Sequence, residues 1–165
     1  MEREIVFDSS TAILLAKINL LSELSRELSI IFPETVKEET TIKKETFDSK
    51  LIMKLINEGK IKVIKADSSK AKRLIKDFNI ERGEAEALEL ALKRKCPIAT
   101  DDGPSIKASR ILGIRFTTAI HFLTSLYDNG LLDKKIAMEK LKILERYARY
   151  NFEIVKDAKN RIEGE

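Results

Sequence analysis

Short apolar runs alternate with longer amphipathic stretches along the chain, and this alternation constrains the fold more than any other feature. Each run has the length of a buried strand, and each stretch repeats its apolar residues with a helical period. Strands are predicted at residues 5–7, 30–32, 61–64, 97–100 and 114–116. Strands that alternate with helices pair in parallel, so the sequence predicts an α/β fold, a three-layer sandwich with a central parallel sheet of about five strands flanked by helices.

The intervening stretches predict helices, and a further short run at residues 152–155 predicts an edge strand. The chain contains no low-complexity linker and no internal repeat. We therefore expect one domain over residues 1–165, with a core at about 4–132 and a helical extension at about 133–165. The helices are predicted at residues 10–24, from 35 onward, and at 46–57, 67–78, 82–95, 104–112, 118–127 and 133–149.

The composition excludes several kinds of chemistry. A single cysteine, Cys96, leaves no internal disulfide and no cysteine-built zinc site, and a single histidine, His121, leaves no histidine-rich metal centre. The formal charge is +4, from 31 basic and 27 acidic side chains, which does not by itself indicate a nucleic-acid binder. No apolar stretch approaches the ~20 residues of a membrane span, and no signal-peptide pattern is present. We expect a cytoplasmic protein without membrane association.

Three acids directly follow predicted strands: Asp8 after the first, and Asp101 and Asp102 after the fourth. Ligands of parallel sheets bind beyond the carboxyl ends of the strands, and two adjacent carboxylates repel each other unless a cation neutralises them. Helix capping is the structural alternative. However, Ser9 and Ser10 could also cap the first helix, which leaves Asp8 without a necessary structural role, and a cap explains only one acid of the later pair.

Glu84 lies on a predicted helix, on an apolar stripe with Ala87, Leu88 and Ala91. It has no basic partner three or four residues later, so it is a candidate metal ligand, although it could merely complement the helix dipole. Two nearby acids have simpler explanations, because a basic residue lies four positions from each. Glu86 follows Arg82 and remains a further candidate, whereas Glu89 precedes Lys93 and is predicted to be a surface residue.

Glu38 and Glu39 are distinguished by a capping pattern. Thr35 and Glu38 have the spacing of a capping box, in which Glu38 reaches back to the start of the helix. Glu39 lies about 100° further round the helix and has no such role. It could also pair with Lys43 at i+4, so its position alone leaves a site role and a surface role equally open.

Together these acids predict a metal site assembled from distant segments. Mg²⁺ takes a few carboxylates and retains water or phosphate ligands, and a bound divalent ion activates water and polarises a phosphoryl group. The predicted ligands of Mg²⁺ or Mn²⁺ are Asp8, Glu84, Asp101 and Asp102. Lys107 and Arg110 follow these acids along the chain and are predicted substrate contacts, although exposed surface positions explain them nearly as well.

The order and spacing of these segments resemble the PIN-domain family of nucleases, in its archaeal-type, toxin-like branch. The matching segments are residues 5–10, 33–39, 83–88, 98–102 and 105–114. The resemblance implies a Mg²⁺/Mn²⁺-dependent ribonuclease that cleaves RNA with a metal-activated water. It implies catalytic acids at Asp8, Glu39, Glu84 and Asp102, where many members have Asp in place of Glu84. Three neighbouring residues are further candidates: Ser9, Glu86 and Thr100, a small hydroxyl residue of the kind that often assists.

The resemblance also implies partners. Many small members are toxins of toxin–antitoxin pairs, so we expect RNA as substrate, an antitoxin protein as partner and a homodimer. Two alternatives remain open. One is a non-catalytic RNA-binding or regulatory domain with the same fold. The other is a haloacid-dehalogenase-like phosphatase, which would normally need a second Asp at the position of Ser10.

Overall fold

Five strands form one all-parallel sheet in the computed structural model, which describes residues 3–164. In space the strands are ordered β3-β2-β1-β4-β5. The predicted parallel sheet is confirmed, although its last two strands are only two residues long. The bounds are β1 (Arg3–Phe7), β2 (Leu28–Pro33), β3 (Ile61–Ile64), β4 (Ile98–Ala99) and β5 (Phe116–Thr117).

The chain divides into two compact units, one ending at Thr117 and the other beginning at Thr118. The first unit contains the sheet and seven of the helices described between residues 3 and 164. These are α1 (Ser9–Lys17), α2 (Leu21–Glu27), α3 (Glu34–Thr41), α4 (Phe47–Asn57), α5 (Ser68–Phe78), α6 (Arg82–Arg94) and α7 (Gly103–Leu112).

The prediction of one helix over residues 10–24 is wrong, because the structure has two helices there. The break falls at Asn19, whose φ of 56° is left-handed. Asparagine tolerates this conformation better than most residues with a side chain. The chain thereby turns between α1 and α2. The helical period of the apolar residues continues across this break, so the period alone predicts a single helix.

Apolar side chains cover both faces of the sheet. Val6 and Ile31 belong to a buried cluster with Leu74 of α5 and Leu88 of α6. Successive strand residues point to opposite faces, so the neighbouring Phe7 of β1 lies on the other face, where its ring centroid is 6.3 Å from that of Phe32 of β2 and where α4 packs on β3. Helices on both faces of a central sheet give the predicted three-layer architecture.

The second unit is helical, with α8 (Ala119–Asp128), α9 (Lys134–Tyr147) and α10 (Phe152–Glu163). The predicted edge strand at residues 152–155 is wrong, because these residues begin α10. Asn151 caps that helix by accepting from the Ile154 N–H at 2.9 Å, and Ala158 and Ile162 are buried one turn apart. The expected division into a core and an extension at about residue 132 stays a prediction. Across residues 3–164, no helix is long and apolar enough to cross a membrane.

The sheet topology places the ends of β1 and β4 together. The chain passes from β1 to β2 on one side, and β4 pairs with β1 on the other, with Phe7 in register with Ala99. A reversal of this kind opens a crevice beyond the carboxyl ends of the strands. The residues that follow directly are Asp8 on one strand and Thr100 on the other.

Candidate active site

Asp8 is 1% exposed at the carboxyl end of β1. Its backbone N–H donates to the Ala99 carbonyl at 3.0 Å. Its Oδ1 accepts from the Ser10 hydroxyl at 2.6 Å and from the Thr11 N–H at 3.3 Å, which makes Asp8 the N-cap of α1. The expectation that Asp8 lacks a structural role is therefore wrong: the side chain caps a helix in the crevice between two strands.

The Thr100 hydroxyl joins the ends of β1 and β4. This side chain is fully buried. Its Oγ1 donates to Oδ2 of Asp8 and accepts from the Asp102 N–H at 3.2 Å. One hydroxyl group thus orients the Asp8 carboxylate and the backbone of the acidic pair together.

Asp101 and Asp102 are held by different partners. Asp101 accepts from the Thr11 hydroxyl at 2.5 Å, and its N–H donates to Ser10 Oγ at 3.1 Å. Asp102 is the N-cap of α7 and accepts from the Ser105 N–H at 3.0 Å. The cap therefore accounts for Asp102, while Asp101 is bound to the first turn of α1.

Glu84 is half-buried in the first turn of α6, where its Oε2 accepts from the Glu81 N–H at 2.9 Å. This is a capping-box contact, a role that was not predicted for Glu84. Glu81, the acid three residues earlier, is consistent with such a capping box in the sequence. The pKa of Glu84 is raised to about 7, chiefly by burial and in smaller part by the negative charges of Asp102 and Asp8, against the hydrogen bond from the Glu81 N–H, which lowers it. Glu84 thus shares one electrostatic environment with the two strand-end acids.

Burial also dominates the titration of Asp8. It raises the pKa of this carboxyl from 3.8 to about 6, against the hydrogen bonds from Ser10, Thr100 and Thr11, which lower it. The negative charge of Asp101 contributes a smaller increase. An ionised Asp8 is therefore costly in the isolated chain, and a bound cation would lower that cost.

Glu39 reaches towards α1 and α6 from the surface of α3. Ser9 Oγ donates to its Oε2 at 3.3 Å. Its other oxygen lies against Gly83, where an added Cβ would come within 2.0 Å of Glu39 Oε1. Desolvation raises the pKa of Glu39, and the charges of Glu81 and Glu86 raise it further. The absence of a side chain at Gly83 is what leaves room for this carboxylate.

The predicted capping box between Thr35 and Glu38 is wrong. The N-cap of α3 is Pro33, with no side-chain cap, and Thr35 donates its hydroxyl to Glu86 at 2.7 Å instead. The Thr35 side chain of α3 is therefore hydrogen-bonded to the buried carboxylate of Glu86 on α6, and it is not available to form the capping box within α3. Glu38 is exposed.

Glu86 and Glu89 both lie buried on α6. Glu86 accepts from Arg82 Nε at 2.8 Å, the partner that the sequence predicted, as well as from Thr35. The prediction that Glu89 is a surface residue is wrong, since it is 3% exposed and accepts from the Asp67 N–H at 3.1 Å. The packing of α5 on α6 brings this donor to Glu89, which a pattern within one helix does not reveal.

The two predicted substrate contacts are exposed on α7. The guanidinium of Arg110 lies 5.3 Å from the ring centroid of Phe116. Arg110 comes eight residues after Asp102, which corresponds to about 12 Å along a helix. Lys107 comes five residues after Asp102, which corresponds to about 7.5 Å. Lys107 is therefore nearer to the acids, and a phosphate-binding role for either residue stays a prediction.

The oxygen donors of the crevice meet the needs of a divalent ion only in part. Among residues 3–164, no three acidic, histidine or cysteine side chains come close enough to form a ready-made metal site. However, Mg²⁺ keeps several waters and often binds through only one or two carboxylates. The caps of Glu84 and Asp102 each use a single carboxylate oxygen. Carboxylate oxygens that are partly desolvated and that repel one another are chemically suited to bind such an ion.

A parallel sheet with carboxylates at its central strand ends and on the first turn of a facing helix defines a nuclease-type α/β fold. The chain belongs to the PIN-domain family, since the family model DUF3368, described as a PIN domain, matches residues 4–163. Among 12 matching chains of solved structures, PAE2754 from Pyrobaculum aerophilum has a TM-score of 0.55 and 14% identity. The match covers 78% of this chain and 99% of that one, and it shows the fold alone. No curated protein matches in sequence.

Proposed function

We propose that this protein is a metal-dependent endoribonuclease that hydrolyses RNA phosphodiester bonds. The observation that supports it most directly is the electrostatic coupling of Glu84 to the acids that follow β1 and β4: its pKa is raised by burial and by the negative charges of Asp102 and Asp8. Membership of a family with a nuclease-type fold supports the same reaction class. RNA as the substrate is the finer part of the proposal.

Asp8, Glu84, Asp101 and Asp102 are the residues that would hold Mg²⁺ or Mn²⁺. When bound, the ion supplies a water of lowered pKa and stabilises negative charge on the phosphoryl group. The Ser10 and Thr100 hydroxyls fix the orientation of Asp8. The caps do the same for Glu84 and Asp102 by occupying one oxygen of each.

Glu39 is the acid best placed to take up a proton. It lies at the rim of the crevice, accepts from Ser9 and has a raised pKa, and a base is most effective when its pKa approaches the working pH. Glu86 accepts hydrogen bonds from Arg82 and from Thr35. In this arrangement Glu86 orients the start of α6 rather than binding the ion.

The test is cleavage of a labelled single-stranded RNA by the wild type and by Asp8→Asn in the presence of Mn²⁺. Asparagine caps helices as well as aspartate does, so the fold is expected to persist while cleavage falls to background. Glu38→Gln is the matched control, because it removes a carboxylate from an exposed position of α3 and is expected to cleave normally. Undiminished cleavage by Asp8→Asn would refute the mechanism.

The same assay separates the two alternatives. A non-catalytic RNA-binding domain would bind the RNA and leave it intact with any divalent ion. A phosphatase would hydrolyse a small phosphomonoester in preference to RNA. Ser10 donates a hydrogen bond to Asp8, so the position where that phosphatase needs a second acid holds a hydroxyl group.

The biological setting is also part of the proposal: a toxin that is blocked by an antitoxin protein and that forms a homodimer. Family membership is what supports it. Induced expression of the wild type is expected to arrest growth in a bacterial host, whereas Asp8→Asn is not. Light scattering on the purified chain measures the oligomeric state, and a monomer would remove the dimer from the proposal.

A further inference from the structure

A groove on the first unit combines lysines with exposed apolar side chains. We call it the α4 groove. Besides Thr41, Ser49 and Glu58, it is lined by Lys44, Lys50, Met53, Lys54 and Asn57, around a volume of about 570 Å³. The last four of these residues are spaced so that they share one face of α4. Phe47 precedes Lys50 by three residues on that face.

The groove is positively charged. Lys44, Lys50 and Lys54 are exposed, as is Lys43 just before them. Lys50 and Lys54 approach Glu45 and Glu58 only to 4.0 Å, and exposed pairs of this kind contribute little. Within residues 3–164, no ion pair involves Lys43 or Lys44, so their charges are available to a polyanion.

Two large exposed apolar side chains come just before the groove residues of α4 along the chain: Ile42 is the C-cap of α3, and Phe47 begins α4. Phe47 is 61% exposed and Ile42 is 76% exposed. An exposed aromatic ring beside lysines is the combination that binds single-stranded nucleic acids, because bases stack on the ring while the lysines contact the phosphates. A purely acidic peptide would use the lysines and would have no base to stack on Phe47.

The groove shares a helix with Glu39, because Thr41, the last residue of α3, is among the residues that line it. Glu39 is only three residues before Ile42, and α3 ends between them at Thr41. A nucleic-acid strand that contacts Glu39 can therefore continue past this turn onto α4. The α5 face with Lys72, Arg73 and Lys76 is equally basic and exposed, but the aromatic residue of that helix, Phe78, is partly buried against the core.

We propose that the α4 groove binds the single-stranded RNA that flanks the cleaved bond, with Phe47 stacking on a base and the lysines contacting phosphates. This inference rests on the proposed function, since it assumes that RNA is the substrate. It adds a binding surface outside the acidic crevice.

The experiment measures binding separately from cleavage. Fluorescence anisotropy of a labelled 12-nucleotide oligouridine is recorded in EDTA over a series of salt concentrations. The triple variant Lys44→Ala/Lys50→Ala/Lys54→Ala is expected to raise the Kd at least about tenfold and to reduce the salt slope by about 2, the value for three lost phosphate contacts. Phe47→Ala is expected to raise the Kd about tenfold with an unchanged salt slope.

The matched control is Lys72→Ala/Arg73→Ala/Lys76→Ala, which removes the same charge from α5 and is expected to change the Kd less than twofold. Equal effects of the two triple variants would overturn the inference. Displacement of the RNA by polyglutamate at equal charge would also overturn it, because the groove would then bind acidic chains in general. Circular dichroism and Tm confirm that each variant is folded.

Cleavage distinguishes the two proposals. If the groove binds RNA as expected but no metal ion supports cleavage, the nuclease function fails and the RNA-binding groove stands. If Asp8-dependent cleavage occurs while the α4 triple variant binds RNA like the wild type, the groove fails and the function stands.

Discussion

The carboxylates at the ends of β1 and β4 are held differently from those on α3 and α6. Asp8, Asp101 and Asp102 are fixed by a shared network of Ser, Thr and backbone donors. Glu39 and Glu84 each accept one hydrogen bond, from Ser9 and from Glu81, as far as residues 3–164 show. The strand side of the site is therefore rigid, whereas the helix side carries longer, more lightly held arms.

This difference indicates how such a site accommodates an ion. The strand side sets the position of the donors before binding, at the expense of raising the pKa of Asp8 to about 6. The helix side can adjust its carboxylates, because glutamate has one more rotatable bond than aspartate and these side chains are partly exposed. We expect the loss of a hydroxyl group that holds the strand-side carboxylates to lower stability most clearly, and substitutions on the helix side to affect catalysis with little change in stability.

Among the substitutions that test this contrast, Glu84→Gln should give the largest effect. Cleavage is expected to fall at least about a hundredfold, the loss seen even for groups that only support metal ligands, with little change in Tm because glutamine can retain the capping bond. The measurement is kcat/KM for RNA over a Mn²⁺ titration. Glu86→Gln is the control on the same helix, and its cleavage should remain within a few-fold of the wild type. Equal losses in the two variants would show that Glu84 has no special role.

Thr100→Val tests the rigid side. The substitution keeps the shape of the side chain but leaves Asp8 and the Asp102 N–H without their common partner, so the free energy of unfolding should fall by about 1–3 kcal/mol. Urea denaturation measures it, and Thr100→Ser should restore most of the loss. On the helix side, Ser9→Ala should change stability by less than about 0.5 kcal/mol. A similar loss in both would remove the contrast between the two sides.

The pH dependence of stability tests the buried acid directly. The folded protein protonates Asp8 at about 6 rather than 3.8, so it binds the extra proton between these values and the free energy of unfolding falls as the pH rises through them. The change is on the order of 3 kcal/mol. The raised pKa of Glu84 extends the decline towards pH 7. Thermal melts in EDTA from pH 4 to 8 should show a declining Tm that Mn²⁺ restores at pH 8. A flat profile, or no smaller decline in Asp8→Asn, would contradict this explanation.

Gly83→Ala should give the smallest effect. The new Cβ displaces the Glu39 carboxylate, the flexible end of a side chain, so the backbone need not move. Alanine also favours a helix by up to about 1 kcal/mol over glycine, and the Tm should stay equal or rise. Cleavage should nevertheless fall several-fold, with little change in RNA affinity. A lower Tm with normal cleavage would mean that the glycine serves packing alone.

The sequence was most informative where the structure depends on neighbouring residues. The positions of the strands along the chain and of the acids that follow β1 and β4 are encoded by local period and position. Some errors were local, since the period of the apolar residues did not mark the turn at Asn19 or the helix that begins at Phe152. Others arose where a distant donor decides the outcome. Thr35 bonds to Glu86, 51 residues away, and Asp67 bonds to Glu89, 22 residues away. A pattern within one helix cannot reveal which helix packs beside it.

Asp8 and Asp102 each cap a helix and also lie at the crevice. These two roles restrict how this protein can evolve. Alanine at either position would remove a cap and a charge in one step, and asparagine would remove only the charge. A descendant that gives up cleavage and keeps its fold should therefore carry asparagine at these two positions. Paired asparagines there would be the sequence signature of an inactive copy.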